Sequence, residues 1–341
     1  MDTDLLIVGG GPAGCAAAVM ASSVGMRSVL IESGDALCGA LRRIPVVRNV
    51  LTATTGPDLA AAIEADLAQC DPCRVELGRR ATLIDAFDDR VEVTVEAVEP
   101  AESPGSDRAG ESRLTAPYVV VATGVGPLGP EGAGWLGGAA GRALPQLWEA
   151  DPDAIDDRTV LVLGADRPLG TVARAHRELK ARFVVAYPPE DDYKTEEIRR
   201  DPRVELVAVR RLELGPAPGP GSASASVTAE VAPVTAEVET VEGERRTLTA
   251  DLAFLNLGST PAPPVGAVAT DRSGYCPPGS QHPRVFIAGD LRSVRFQRIA
   301  TAMGSGGEAA LGAYYASRGL PTETGGPPME VGGPPGPTGG G

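Results

Sequence analysis

The chain has 341 residues, 43% of them apolar, and a formal net charge of −14. The length suits two or three ordinary domains, and the acidic balance argues against nucleic-acid backbones and anionic membranes, which are bound by Lys and Arg. Five cysteines exclude a disulfide framework and fit a reducing compartment, while two histidines, His176 and His282, exclude a His-rich metal site, so no metal is expected.

The first residues are acidic where a signal peptide would be basic, and no apolar run nears the roughly 18 residues of a spanning helix. The expected location is the cytoplasm. Residues 4–8 (DLLIV) read as a buried strand, 12–24 as an Ala-rich helix after a glycine cluster, and 28–32 (SVLIE) as a second strand. Residues 57–69 read as a helix opened by proline. Two or three strands follow over 74–98, then a polar loop over 99–113 and a buried strand over 117–122. A second strand, glycine-turn, helix and strand unit spans 159–187, with its turn at Gly164 and its helix at about 169–180. A strand-rich stretch runs to Leu257, interrupted by Pro/Gly/Ser-rich residues 215–226. The last strand is 285–288 and the last helix about 298–317. Residues 321–341, nearly all Gly, Pro and Thr, have little to bury and read as a disordered tail.

Two such units in one chain predict an α/β protein with two Rossmann-like, doubly wound nucleotide-binding domains. The expected boundaries are 1–124 and 254–320 for a discontinuous first domain and 125–253 for the second.

Gly9-Gly10-Gly11-Pro12-Ala13-Gly14 is a G-x-G-x-x-G motif in the context it requires, after a strand and opening a helix. Gly9 permits the tight turn, Gly11 lets the backbone approach a pyrophosphate, and Gly14 lets helix pack on strand. Free N–H groups and the helix dipole favour the anion at the N-terminus, where Pro12 and Ala13 open the first turn. Glu32, 18 residues after Gly14, is placed to accept ribose hydroxyls and to repel a 2′-phosphate.

In motif order the chain resembles the thioredoxin reductase-like flavoproteins over roughly residues 3–320. The resemblance implies FAD at Gly9, Gly11, Pro12, Ala13, Gly14 and Glu32. Asn49 matches the family asparagine near the flavin ring. Ala122-Thr123-Gly124 matches a strand-end segment of the family. Gly289-Asp290 matches a late motif whose Asp bonds the ribityl chain. Arg298 and Ile299 match the start of the last helix, and a helix N-terminus there suits the negative charge of reduced flavin. The resemblance also implies a homodimer.

Three departures set the chain apart. The family's C-x-x-C before the second glycine motif is missing, because residues 135–157 hold no cysteine. The one C-x-x-C, Cys70-Asp71-Pro72-Cys73, lies at a helix exit, whereas a low-pKa thiol pair favours a helix N-terminus. It reads as packing, with a redox pair as the alternative. Cys15 reads as helix packing, Cys38 as a turn residue, and Cys276 as a strand residue.

The second departure is the second turn, Gly164-Ala165-Asp166-Arg167-Pro168-Leu169, where Asp166 replaces a glycine and Leu169 a small residue. A carboxylate about 4 Å from a phosphate costs about 1 kcal/mol in water and about 4 kcal/mol near a protein surface. The helix dipole offsets only about 0.3–1 kcal/mol. The third departure is the acidic run Glu190-Asp191-Asp192, where NADPH-using relatives place basic residues. NADPH is expected to bind weakly or not at all, with NADH less excluded.

His176 is expected on an apolar helix face with Val172 and Leu179, as a core residue, and His282 in a loop. The leading expectation is an FAD-dependent oxidoreductase whose chemistry passes directly through flavin, supplied by a small molecule or a redox protein. The alternatives are a dithiol oxidase and a non-catalytic flavin-binding regulatory or interaction protein.

Overall fold

The computed structural model describes residues 3–51, 53–98, 111–139, 142–216 and 233–321. Residues 322–341 of the expected tail (321–341) and most of the two polar loop tips lie outside them. The helices are α1 (Pro12–Ser23), α2 (Gly39–Arg42), α3 (Gly56–Leu67), α4 (Pro152–Ile155), α5 (Pro168–Ala175) and α6 (Ile299–Ser317).

Leu5–Val8 is the central strand of an all-parallel five-stranded sheet, ordered Val285–Ile287, Tyr118–Val121, Leu5–Val8, Ser28–Ile31, Cys73–Glu76. Its inner strands are buried throughout, and apolar but for Ser28, because both faces are covered. Side chains alternate across a strand. Leu5, Ile7 and Leu30 therefore meet α1, α3 and α6, while Leu6, Val8, Val29 and Ile31 meet Ile84, Val91, Val93 and Val95 of an antiparallel meander. That meander, Arg79–Ala86, Val91–Ala97 and Ser112–Ala116, forms the third layer.

The second sheet runs Arg245–Ala250, Val234–Thr240, Val204–Leu214, Arg182–Tyr187, Thr159–Leu163, Leu252–Leu255. Its last four strands are parallel and its first two antiparallel. Leu169 of α5, Leu147, Ile155 and Phe183 fill one face. The chain passes between the two units along Val125–Pro127 and Ser259–Pro261, which pair antiparallel. The expected boundary between 253 and 254 therefore falls inside a strand of the second sheet. The crossing lies a few residues later, because Leu252–Leu255 pairs with Thr159–Leu163.

Two local expectations need correction. α5 ends at Ala175 rather than near 180, so His176 is its C-cap, half-buried, with Nδ1 3.4 Å from Glu178. The α5 core face is Leu169, Gly170 and Ala173. Cys276 lies outside any strand; it is buried, with its N–H donating to the Leu291 carbonyl at 2.9 Å.

Candidate functional site

The carboxyl ends of the parallel strands carry the first glycine turn, the edge at which α/β sheets bind ligands. Gly9 has φ 106°, and a Cβ there would run into the Ala122 carbonyl. A Cβ on Gly14 would run into the Gly9 carbonyl, whereas space over Gly11 is open. Gly11 caps α1 in extended backbone, Pro12 holds the first position, and no acidic residue occupies the first turn. The α1 N-terminus is thus open to an anion.

Several of the expected residues converge on this turn. Glu32 accepts the Gly10 N–H at 2.6 Å and the Gly34 N–H at 2.7 Å, one on each carboxylate oxygen. Oε1 also accepts from Ser33 Oγ at 3.2 Å, so Oε2 is the oxygen that keeps a further acceptor site. Ala122 donates its N–H to Val8, and Thr123 Oγ1 donates to the Ala262 carbonyl at 2.7 Å. Gly289 donates its N–H to Ser305 Oγ at 2.8 Å, and a Cβ on it would lie 2.9 Å from Ala13 Cβ. Burial raises the Asp290 pKa, with Arg167 and Arg298 opposing the shift. Asn49 is exposed in the loop between α2 and α3, and among the described residues no contact ties it to the glycine turn.

The entry to α6 is a locked loop. Gln297 Nε2 donates to Tyr275 Oη, Asp290 O and Ser293 O. Its own carbonyl accepts from Arg298 Nη1 at 2.9 Å and from Arg167 Nη1 at 2.7 Å. Phe296, beside it, has φ 63° and is exposed, a conformation that costs about 1–3 kcal/mol in a non-glycine residue.

Arg167 comes from the second glycine turn. That turn is pinned by Asn256, which is 1% exposed and donates from Nδ2 to Gly164 O at 3.2 Å and to Asp166 O at 2.8 Å. Sequence reasoning missed Asn256, whose one local cue is its place just after a buried strand. Asp166 is half-buried, and its nearest cation is Arg167 Nε at 3.9 Å, too distant for a hydrogen bond. Leu169 is fully buried rather than facing the turn. After the next strand, Asp191 pairs with Lys194 at 2.8 Å and Asp192 with Arg199 at 2.9 Å. Two of the three acids are thus locally balanced, and Glu190 is exposed. Tyr187 donates to Asp192 Oδ1, and burial foremost pushes its hydroxyl up to about 12.

Cys70 and Cys73 lie elsewhere. Cys73 pairs with Ser28, at the amino end of its strand, whereas Glu32 follows the carboxyl end. Four residue steps of strand separate Ser28 from Glu32, about 13 Å. Burial raises the Cys73 thiol, which opposes a reactive thiolate.

Comparisons with known proteins agree with this geometry. Residues 3–165 match the family described as pyridine nucleotide-disulphide oxidoreductase. The Pseudomonas putida alkyl hydroperoxide reductase F subunit is 26% identical over 91% of this chain and 57% of its own length. The corresponding Staphylococcus aureus protein (strain MSSA476) is 25% identical over 91% and 58%. The chain thus spans a little over half the length of these relatives. Among solved structures, Lactococcus lactis thioredoxin reductase in its FR conformation superposes with a TM-score of 0.73 at 18% identity, covering 93% of this chain and 100% of its own. T. acidophilum thioredoxin reductase gives 0.72 at 21% identity, covering 93% and 99%. The chain therefore carries a pyridine nucleotide-disulphide oxidoreductase domain over residues 3–165 and has the fold of the thioredoxin reductases.

Proposed function

We propose that the chain is an FAD-dependent oxidoreductase that works without a cysteine relay and without NADPH at its second glycine turn. The residues present suit FAD. The first turn of α1 is free of acids, Glu32 Oε2 has a spare acceptor site, and Asp290 is a half-buried carboxylate next to Gly289, which lies against Ala13 at the α1 start. Bound there, FAD supplies two-electron redox chemistry. The protein's part is to hold the pyrophosphate on the open helix end and ribose on Glu32. Arg298 and Arg167 meet at the Gln297 carbonyl before the α6 N-terminus, and together they would favour the reduced, more negative state of a flavin bound beside them.

The observation that carries the reading is the Arg167 bond to the Gln297 carbonyl. The residue next to Asp166 is committed to the first domain, so the second turn offers a dinucleotide a carboxylate while its own arginine is engaged elsewhere. Cys70 and Cys73, at the amino end of the first sheet, give a dithiol oxidase no support. Electrons then enter from a small molecule or a redox protein, and a homodimer and a cytoplasmic setting remain part of the proposal. Among the described residues no helix is long and apolar enough to cross a membrane.

The test compares wild type with the Cys70→Ser/Cys73→Ser double variant. Both should show a flavin band and be reduced at the same rate by any donor that works. A variant that keeps flavin but loses reduction would overturn the reading.

A further inference from the structure

The loop that enters α6 turns side chains to solvent that the flavin reading leaves unused. Val294 is 65% exposed and Phe296 79%. The loop beneath them is rigid. Gln297 Nε2 bonds Tyr275, Asp290 and Ser293, Thr301 Oγ1 donates to the Phe296 carbonyl, and the Arg295 N–H donates to Ser293 Oγ at 3.1 Å. Phe296 is thereby kept in left-handed backbone, φ 63°, with its ring in water. The strain and the two neighbouring exposed apolar side chains cost stability, and the packing of the chain gains nothing from them.

Charge marks the same loop. Asp and Glu outnumber Lys and Arg by 45 to 31, yet residues 292–298 hold Arg292, Arg295 and Arg298 and no acid. Arg292 pairs with Glu308 at 2.7 Å, whereas among the described residues neither Arg295 nor Arg298 has a carboxylate partner. Arg167 adds a further cation at the Gln297 carbonyl. An exposed aromatic flanked by arginines on a pre-ordered loop has the make-up of a protein-binding anchor. Two copies of the chain meeting here about a two-fold axis would set these arginines against themselves, so the complement is a different and acidic surface.

We propose that the loop 293–298 docks an acidic redox protein, with Phe296 and Val294 as the apolar anchor and Arg295 as the charged rim. This rests on the reading of the chain as a flavin oxidoreductase and names the donor that reading leaves open. A protein seated on Phe296 lies beside Gln297 and Arg298, at the entry to α6. A one-electron carrier is oxidised by one electron at each docking, so two dock in turn to supply the pair that flavin takes up, with protons from solvent.

The test measures binding of two acidic one-electron carriers, a plant-type [2Fe–2S] ferredoxin and a flavodoxin, to the full chain by calorimetry, with flavin bound and after its removal. At least one should bind at about 50 mM salt and weaken at least about tenfold at about 500 mM, as exposed charges are screened. Phe296→Gly relieves the left-handed strain, so it should keep or raise the unfolding midpoint while weakening binding about tenfold, or about 1.4 kcal/mol. Arg295→Glu should weaken binding and flatten its salt dependence, and both variants should keep flavin as wild type does. Neither carrier binding at low salt, or unchanged binding in either variant, would overturn the proposal. So would self-association of the chain that Phe296→Gly abolishes, which would make a second copy the occupant. A chain that binds a carrier but takes up no FAD would sink the proposed function alone, and one that holds FAD but binds neither carrier would sink the docking site alone.

Discussion

Single residues carry most of what was legible. Gly9 and Gly14 follow from spacing alone, and the structure places backbone oxygens where their side chains would be. Gly14→Ala is expected to cost about 3 kcal/mol, because the obstructing atom is a carbonyl rather than a movable side chain. Thermal or urea unfolding checks this, and an unchanged midpoint would contradict it. Asp290 gives a pH test. Burial raises its folded pKa above the unfolded value. Its contribution to stability is therefore full below the unfolded pKa and is lost as pH rises through the folded one. In the flavin-free chain Asp290→Asn should raise the melting temperature at pH 7, and the gain should vanish towards pH 4. A constant gain would mean that the carboxylate is not buried. The strain at Cys38 and the clamp by Asn256 were not legible, since a left-handed φ at cysteine and a contact across 90 residues leave no mark on local pattern.

At the scale of elements, periodicity locates α1, α3, α6 and the parallel strands of both sheets because their apolar faces are continuous. It fails where tertiary contacts set the ends. α5 stops at Ala175 instead of about 180, and Arg203 then donates to the freed carbonyls of Ala173, His176 and Leu179. The apolar register of His176 with Val172 and Leu179 gives no warning of that stop. The residues of the second glycine turn are plain in the sequence, but its tie to the α6 entry is invisible there. Asp166→Gly removes a carboxylate that opposes a phosphate by about 1–4 kcal/mol. NADPH or NADH affinity, measured by calorimetry, should rise about tenfold or more. No change would show that Arg167 or the loop shape, not the charge, excludes the cofactor.

For the whole molecule, the central feature is one bond between two units far apart in sequence, Arg167 to Gln297, beside Arg298 and a helix N-terminus. Arg167→Met should lower the flavin midpoint potential, because it withdraws a cation from the reduced, more negative state. Spectroelectrochemistry checks the sign, and a potential that stays fixed would place Arg167 in structure alone. Discontinuous order was legible from the late Ala288-Gly289-Asp290 segment, but the crossing point was not, since Leu252–Leu255 reads the same in either unit. The most direct measurement is the visible spectrum of the purified chain, followed anaerobically through additions of NADPH, NADH and dithionite. The account expects a bound flavin that dithionite bleaches and NADPH does not. No flavin band after adding FAD, or prompt bleaching by NADPH, would contradict it.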